Sequence, residues 1–147
     1  RGEQLLSIVR SLDKVMNNTS LILLFEVGGK KLLFPGDAQI ENWSYALSKR
    51  SVQRLLAGVD LYKVGHHGSR NATPRSLWDN FSKRSDKVTK NRLETFCSTM
   101  RNKHGTSRSK TEVPRKTLVA ALKGSSNYHT TETLGKKLSF DFTMTFR

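Results

Sequence analysis

A chain of 147 residues suffices for one domain around one core, although its 35% hydrophobic content is low for a compact globule. The net charge of +14 favours a polyanionic partner or substrate, the plain alternative being a solvated basic surface. A single cysteine, Cys97, excludes an internal disulfide, and the longest apolar run, residues 21–25, is far too short to span a membrane.

In chain order, residues 4–16 place Leu5, Ile8, Val9, Leu12 and Val15 at helical spacing, which predicts a short amphipathic helix broken by Asn17 and Asn18. Residues 21–27 and 30–34 read as two strands of a hairpin turning at Gly28-Gly29, with Pro35 closing the second. Two helical pieces follow over 39–57, with a break near 48–51 and a stop at Gly58. Residues 60–65 predict a buried strand. Thr73-Pro74 predicts a helix start, with Thr73 as N-cap and Pro74 at the first helical position. A strand is expected over 94–99 with Cys97 buried in it, a mobile loop over 101–112, and a helix over 114–122 capped by Gly124. The alternation of Leu138, Phe140, Phe142, Met144 and Phe146 reads as the clearest strand of the chain. The order predicts a single α/β domain, a layered mixed sheet with flanking helices.

Two strand ends carry the chemistry. Leu-Tyr-Lys-Val-Gly-His-His-Gly-Ser at 61–69 stops at His66 and His67, and Lys-Leu-Leu-Phe-Pro-Gly-Asp-Ala at 31–38 stops at Asp37. A sheet fixes the backbone while the loop exposes the side chain, so a carboxylate and an imidazole at neighbouring strand ends make half of a metal site. His66, first past the strand, is the preferred ligand, which leaves His67 beside it or over a substrate pocket. The alternative is an imidazole that merely bonds a backbone carbonyl. Ser69 and Asn71 are expected to cap the next helix, with substrate contact as their second reading. His104 and His129 sit in polar stretches and read as surface residues.

Taken together, Asn17-Asn18-Thr-Ser-Leu-Ile-Leu-Leu-Phe, Gly28-Gly-Lys-Lys-Leu-Leu-Phe-Pro-Gly-Asp-Ala38 and Asp60-Leu-Tyr-Lys-Val-Gly-His-His-Gly-Ser69 resemble the second half of a metallo-β-lactamase-fold hydrolase. The similar branch holds the metallohydrolase domains of DNA-uptake competence proteins, and the resemblance covers about residues 15–80. It implies the second half of an αββα sandwich, a pair of metal ions such as zinc, Asp37 as the bridging ligand, and His66 or His67 as a terminal one. Asn17 and Asn18 stand where many members carry another histidine, and amides are not assigned to metal. The family's His-x-His-x-Asp-His loop is missing, so the chain is expected to be the C-terminal half of a larger domain, inactive alone. The opening Arg-Gly-Glu-Gln shows neither a signal peptide nor an initiator Met; the expectation is a start further upstream and a cytoplasmic setting.

The basic segment 83–116, with Lys83, Arg84 and Lys87 at its head, is a candidate phosphate-contacting surface, set against a solvated basic face. The leading expectation is thus part of a metal-dependent hydrolase of a phosphodiester or ester-like bond. The rival is a non-catalytic basic module that binds nucleic acid or a partner chain. Apolar faces left uncovered predict a homo-oligomer, or completion by the other half of the fold.

Overall fold

The computed structural model describes residues 3–4, 19–100, 103, 105–106, 108 and 111–145. Apart from Gln4, the helix expected over 4–16 lies outside these residues, as do Asn17, Asn18, His104 and Phe146.

Strands β1 (Leu23–Val27) and β2 (Lys30–Phe34) form the expected hairpin, and Gly28 and Gly29 take the positive φ values of 52° and 74° that a tight two-residue turn demands. Helices α1 (Ile40–Leu47) and α2 (Arg50–Ala57) follow, with the break where Ser48 and Lys49 interrupt the pattern. Then come β3 (Leu61–Lys63), a short 3₁₀ turn at His66–Gly68, α3 (Arg75–Asn80), β4 (Glu94–Cys97), α4 (Lys116–Ser125) and β5 (Asn127–Thr130). The five strands form one mixed sheet in sequence order; β1 is antiparallel to β2, and β2 through β5 are parallel.

That order decides where the helices go. Each crossover steps to the next strand on the same side, and right-handed crossovers that never reverse put every helix on one face of the sheet. Beneath the helices the row Leu33, Tyr62 and Thr95 is fully buried, together with Trp43, Leu77, Phe81, Leu93 and Leu122. The opposite face is another matter. Leu23, Phe25 and Val27 of β1 are about half exposed (45%, 49% and 51%), although they are large and apolar. Among the described residues no helix covers them, nor is any helix long and apolar enough to cross a membrane.

Four expectations need correction. Residues 138–145 pair with no strand. They run over the open face, where the Phe142 and Phe140 rings lie 4.9 and 5.8 Å from the ring of Phe96. Alternation reports that one side of a segment meets a surface; here that surface is the face of the sheet, not its edge. Leu138 is fully exposed, so the alternation does not bury every member. The last strand is instead β5, whose polar Asn-Tyr-His-Thr has no apolar alternation to announce it. Helix α4 runs through Gly124, and α3 starts after Pro74, because the Thr73 hydroxyl is engaged by Tyr62 at 2.8 Å and caps nothing.

Candidate functional site at the rim of the sheet

Parallel strands deliver their C-terminal ends to one rim, where open α/β sheets place ligands. At this rim the loop after β2 and the turn after β3 are fastened together: the His66 amide donates to the Gly36 carbonyl at 3.1 Å. Asp37 and the two histidines therefore share one corner, as their positions at adjacent strand ends predict.

The histidine turn is unusually constrained. His66 and His67 both adopt left-handed backbone, with φ of 41° and 53°, a region that residues with a Cβ enter at a cost. Two bonds close the turn, from the Gly68 amide to the Gly65 carbonyl and from the Ser69 amide to the His66 carbonyl, each 2.9 Å. The Arg115 amide donates to the Gly68 carbonyl at 2.9 Å and pins the turn from the other side. Gly68 itself has φ of 84°, and a Cβ there would stand 2.9 Å from Pro114 Cβ. Behind the turn, the Trp43 indole donates to the Ala72 carbonyl at 3.0 Å, which anchors the exit of the loop in the core.

The two imidazoles differ. His67 is exposed, and its Nδ1 lies 2.8 Å from the Ser98 carbonyl. A carbonyl only accepts, so Nδ1 is the donor of this bond. His66 is half-buried, and its Nδ1 is enclosed with no hydrogen-bond partner among the described residues. The same holds for the hydroxyl of Ser69. Neither Ser69 nor Asn71 caps α3, contrary to expectation, because that helix begins four residues past Asn71. Both line a cleft of about 210 Å³ with His66, Arg70, Glu112 and Arg115. Arg70 and Glu112 were not singled out in the sequence, and Arg115 figured there only as part of the basic segment 83–116. Asp37 is half-buried and close enough for its charge to act on Lys63, an amine that burial holds below the ordinary lysine range.

Asp37, His66 and His67 are suitable in kind for zinc, but they fall short of a site. Among the described residues no group of three or more candidate ligands stands together, and a catalytic zinc takes three protein ligands as a rule.

Elsewhere the expected roles divide. Lys83 Nζ donates to Asp60 at 2.6 Å, and Arg84 pairs with Asp79 at 3.1 Å while lying over the ring of Trp78. Lys87 is exposed. His129 is not a plain surface residue: it stacks on Phe96 at 4.5 Å and its Nε2 meets the Glu94 carboxylate at 2.8 Å. Cys97 is buried as expected, and burial pushes its thiol up, away from the reactive thiolate. An apolar cavity of about 320 Å³ lies on the open face under the tail, between Phe34, Leu61, Lys63, Phe96, Phe140 and Phe142.

Among known proteins, the chain is similar to Recombination protein 2 of Haemophilus influenzae, 31% identical over 74 residues. The match takes in 50% of this chain and 9% of that protein, so the chain spans a small fraction of its relative's length. No family model and no solved structure matches.

Proposed function

We propose that this chain is the C-terminal part of a metal-dependent hydrolase of the metallo-β-lactamase kind, which when complete acts on a phosphodiester or ester-like bond. The observation that carries this reading is the bond from the His66 amide to the Gly36 carbonyl, which sets Asp37 beside the histidine turn. Backbone strain at two consecutive histidines supports it further, since strain of this kind persists where a function requires it. In a complete site a pair of zinc ions would supply Lewis acidity, and Asp37 and His66 are the residues of this chain that would help to hold them. His67, oriented by the Ser98 carbonyl, would stand next to His66. The name of the relative, a recombination protein, is in keeping with a nucleic-acid substrate, as is the charge of +14.

The missing ligands must come from outside the described residues. The test is hydrolysis of bis(p-nitrophenyl) phosphate by the full product of the gene that encodes this chain, with zinc or manganese supplied. Asp37→Asn and His66→Ala should each abolish turnover and leave the fold intact. Turnover that survives both substitutions overturns the reading. Salt-sensitive nucleic-acid binding without hydrolysis under either metal would favour the rival, a non-catalytic basic module.

A further inference from the structure

The helix layer carries charge that the rim site does not use. Helices α1 and α2, with the link between them, hold Lys49, Arg50 and Arg54 against one acid, Glu41. All three cations are exposed, and neither guanidinium group has an ion-pair or hydrogen-bond partner among the described residues. That sets them apart from Lys83 and Arg84, which Asp60 and Asp79 occupy. Lys49 and Arg50 also stand at the start of α2, where the helix dipole opposes a cation and no acid in the first turn offsets it. A face shaped by stability alone would carry acids there.

An aromatic ring stands among these cations. Tyr45 is 68% exposed, and the Lys49 ammonium lies 4.3 Å over its ring and 3.0 Å from its hydroxyl. The ammonium takes one face of the ring, and at that exposure the other stays open. The corner itself is fixed. The Ser48 amide donates to the Ser44 carbonyl at 3.1 Å, and the Ser48 hydroxyl to the Tyr45 carbonyl at 2.7 Å. The Gln53 side chain donates to the Leu47 carbonyl at 2.6 Å, while Trp43, Leu47 and Leu56 are buried in the core. A ring presented by such a corner needs little reordering to receive a flat ligand. Arg50 and Arg54 sit about one turn apart, roughly 6 Å along the axis. Helix α1 starts next to Gln39 in the wall of the cleft, and its eight residues carry the chain about 12 Å to this corner.

From this we infer that the corner between α1 and α2 is a contact for a single nucleic-acid strand, with a base stacked on Tyr45 and phosphates at Lys49, Arg50 and Arg54. Cations beside an open ring suit a strand whose bases are free to stack. A duplex offers this corner phosphates alone, and an anionic membrane or an acidic peptide offers it nothing flat. The inference rests on the nucleic-acid part of the proposed function and on no step of hydrolysis. It adds the direction in which a strand held at the rim would leave: along α1, over the helix layer, and not across the basic segment that begins at Lys83.

The test is binding, read apart from turnover. In buffer treated with chelator, fluorescence anisotropy of a labelled oligothymidylate of about ten residues follows its affinity for the chain as salt is raised. Affinity should fall with salt. Arg50→Ala combined with Arg54→Ala should reduce the slope of log affinity against log salt by about 1.4, the loss of two single-strand phosphate contacts. Lys87→Ala combined with Lys90→Ala removes the same charge from an exposed stretch of the basic segment and should change the slope by less than about half as much. Tyr45→Ala should weaken the strand about tenfold and change the affinity for a DNA duplex less than about twofold. Tyr45→Phe keeps the ring, loses the hydroxyl, and should bind as the parent does. Equal slope changes in the two double variants, a Tyr45→Ala loss that is the same on duplex, or a Tyr45→Phe variant as weak as Tyr45→Ala overturns the inference. So does a chain that ignores the oligonucleotide at low salt, whether or not it sediments with phosphatidylserine vesicles. Every substituted side chain is exposed, and a thermal unfolding curve matching the parent's establishes that each variant is folded. Because no metal is supplied, a failure of the hydrolase reading shows in the turnover assay and leaves this result untouched.

Discussion

Lys83 Nζ lies 2.6 Å from the Oδ1 atom of Asp60, although 23 positions separate them in the chain. The same carboxylate accepts the Lys31 amide at 2.9 Å and the Lys30 ammonium at 3.2 Å. One buried acid thus ties together the start of β2, the entrance to β3 and the loop after α3. It also explains why the head of the basic segment is less available to an outside partner than its composition promises.

Replacing Asp60 with Ala should lower stability by about 2 kcal/mol, a charged hydrogen-bonded group being lost while its two lysines turn back to water. Burial alone would raise the carboxyl, and the bonds from Lys83, Lys31 and Lys30 outweigh it, so its folded pKa is depressed. The contribution is therefore complete above the ordinary aspartate value of about 4 and is lost as pH falls through the lower folded value. Urea unfolding at neutral pH and in acid checks this: Asp60→Asn should flatten the acid limb of the stability profile, and an unchanged limb would refute it.

Gly68→Ala and Gly29→Ala should separate strain from collision. Both glycines have positive φ, 84° and 74°, but a Cβ at Gly29 meets nothing within 4 Å, whereas one at Gly68 meets Pro114 at 2.9 Å and Cys97 Sγ at 3.3 Å. The Gly29 variant should lose about 1 kcal/mol and the Gly68 variant clearly more, about 2–3 kcal/mol. Thermal unfolding of the two variants side by side measures the difference.

Zinc should bind the 147-residue chain weakly, because among the described residues too few side chains close around Asp37 and the histidines. Metal analysis after exhaustive dialysis should find well under one ion per chain. Two retained ions would mean that residues outside the described ones complete the sphere.

Phe142→Ala should cost about 1–2 kcal/mol, the value of a half-buried aromatic ring set edge-on to its neighbour. It should also raise the exposure of Phe96 and His129, read as increased dye binding to apolar surface. Stability unaffected by the change would mean that the tail leaves the sheet in solution.

The open face formed by Leu23, Phe25, Val27 and Phe34 should drive association. Sedimentation at micromolar concentration should show a dimer, and Phe25→Lys should return it to a monomer. A parent chain that sediments as a monomer would show that the face is tolerated in water.

The hairpin, the two strand ends and the paired helices were legible because Gly28-Gly29, Pro35-Gly36 and Gly58 punctuate apolar runs whose period is clear. The corner that joins Asp37 to His66 followed from the same punctuation, since each residue lies just past a glycine that follows a strand. The tail was misread because Phe140 and Phe142 alternate for a face instead of a ladder, and β5 passed unnoticed because its strand character comes from pairing with β4. Long-range polar contacts left no local trace at all. Lys83 on Asp60, His129 on Glu94, and Arg92 on the carbonyls of Ser85 and Gly124 look in sequence like ordinary surface charge. The wall of the cleft was hidden for the same reason, since Arg115 reaches the histidine turn through its backbone.

Under the proposed function, the bond between the Gly36 carbonyl and the His66 amide would also bear on ion size. Groups fastened to one another by their main chains fluctuate as a unit, so the span from the Asp37 loop to the His66 turn has little freedom to widen or narrow. A coordination sphere built on such a pair cannot adapt from this side. The choice between a small ion that demands short, regular bonds and a larger one that accepts long, irregular ones would fall to whatever ligands approach from across the rim.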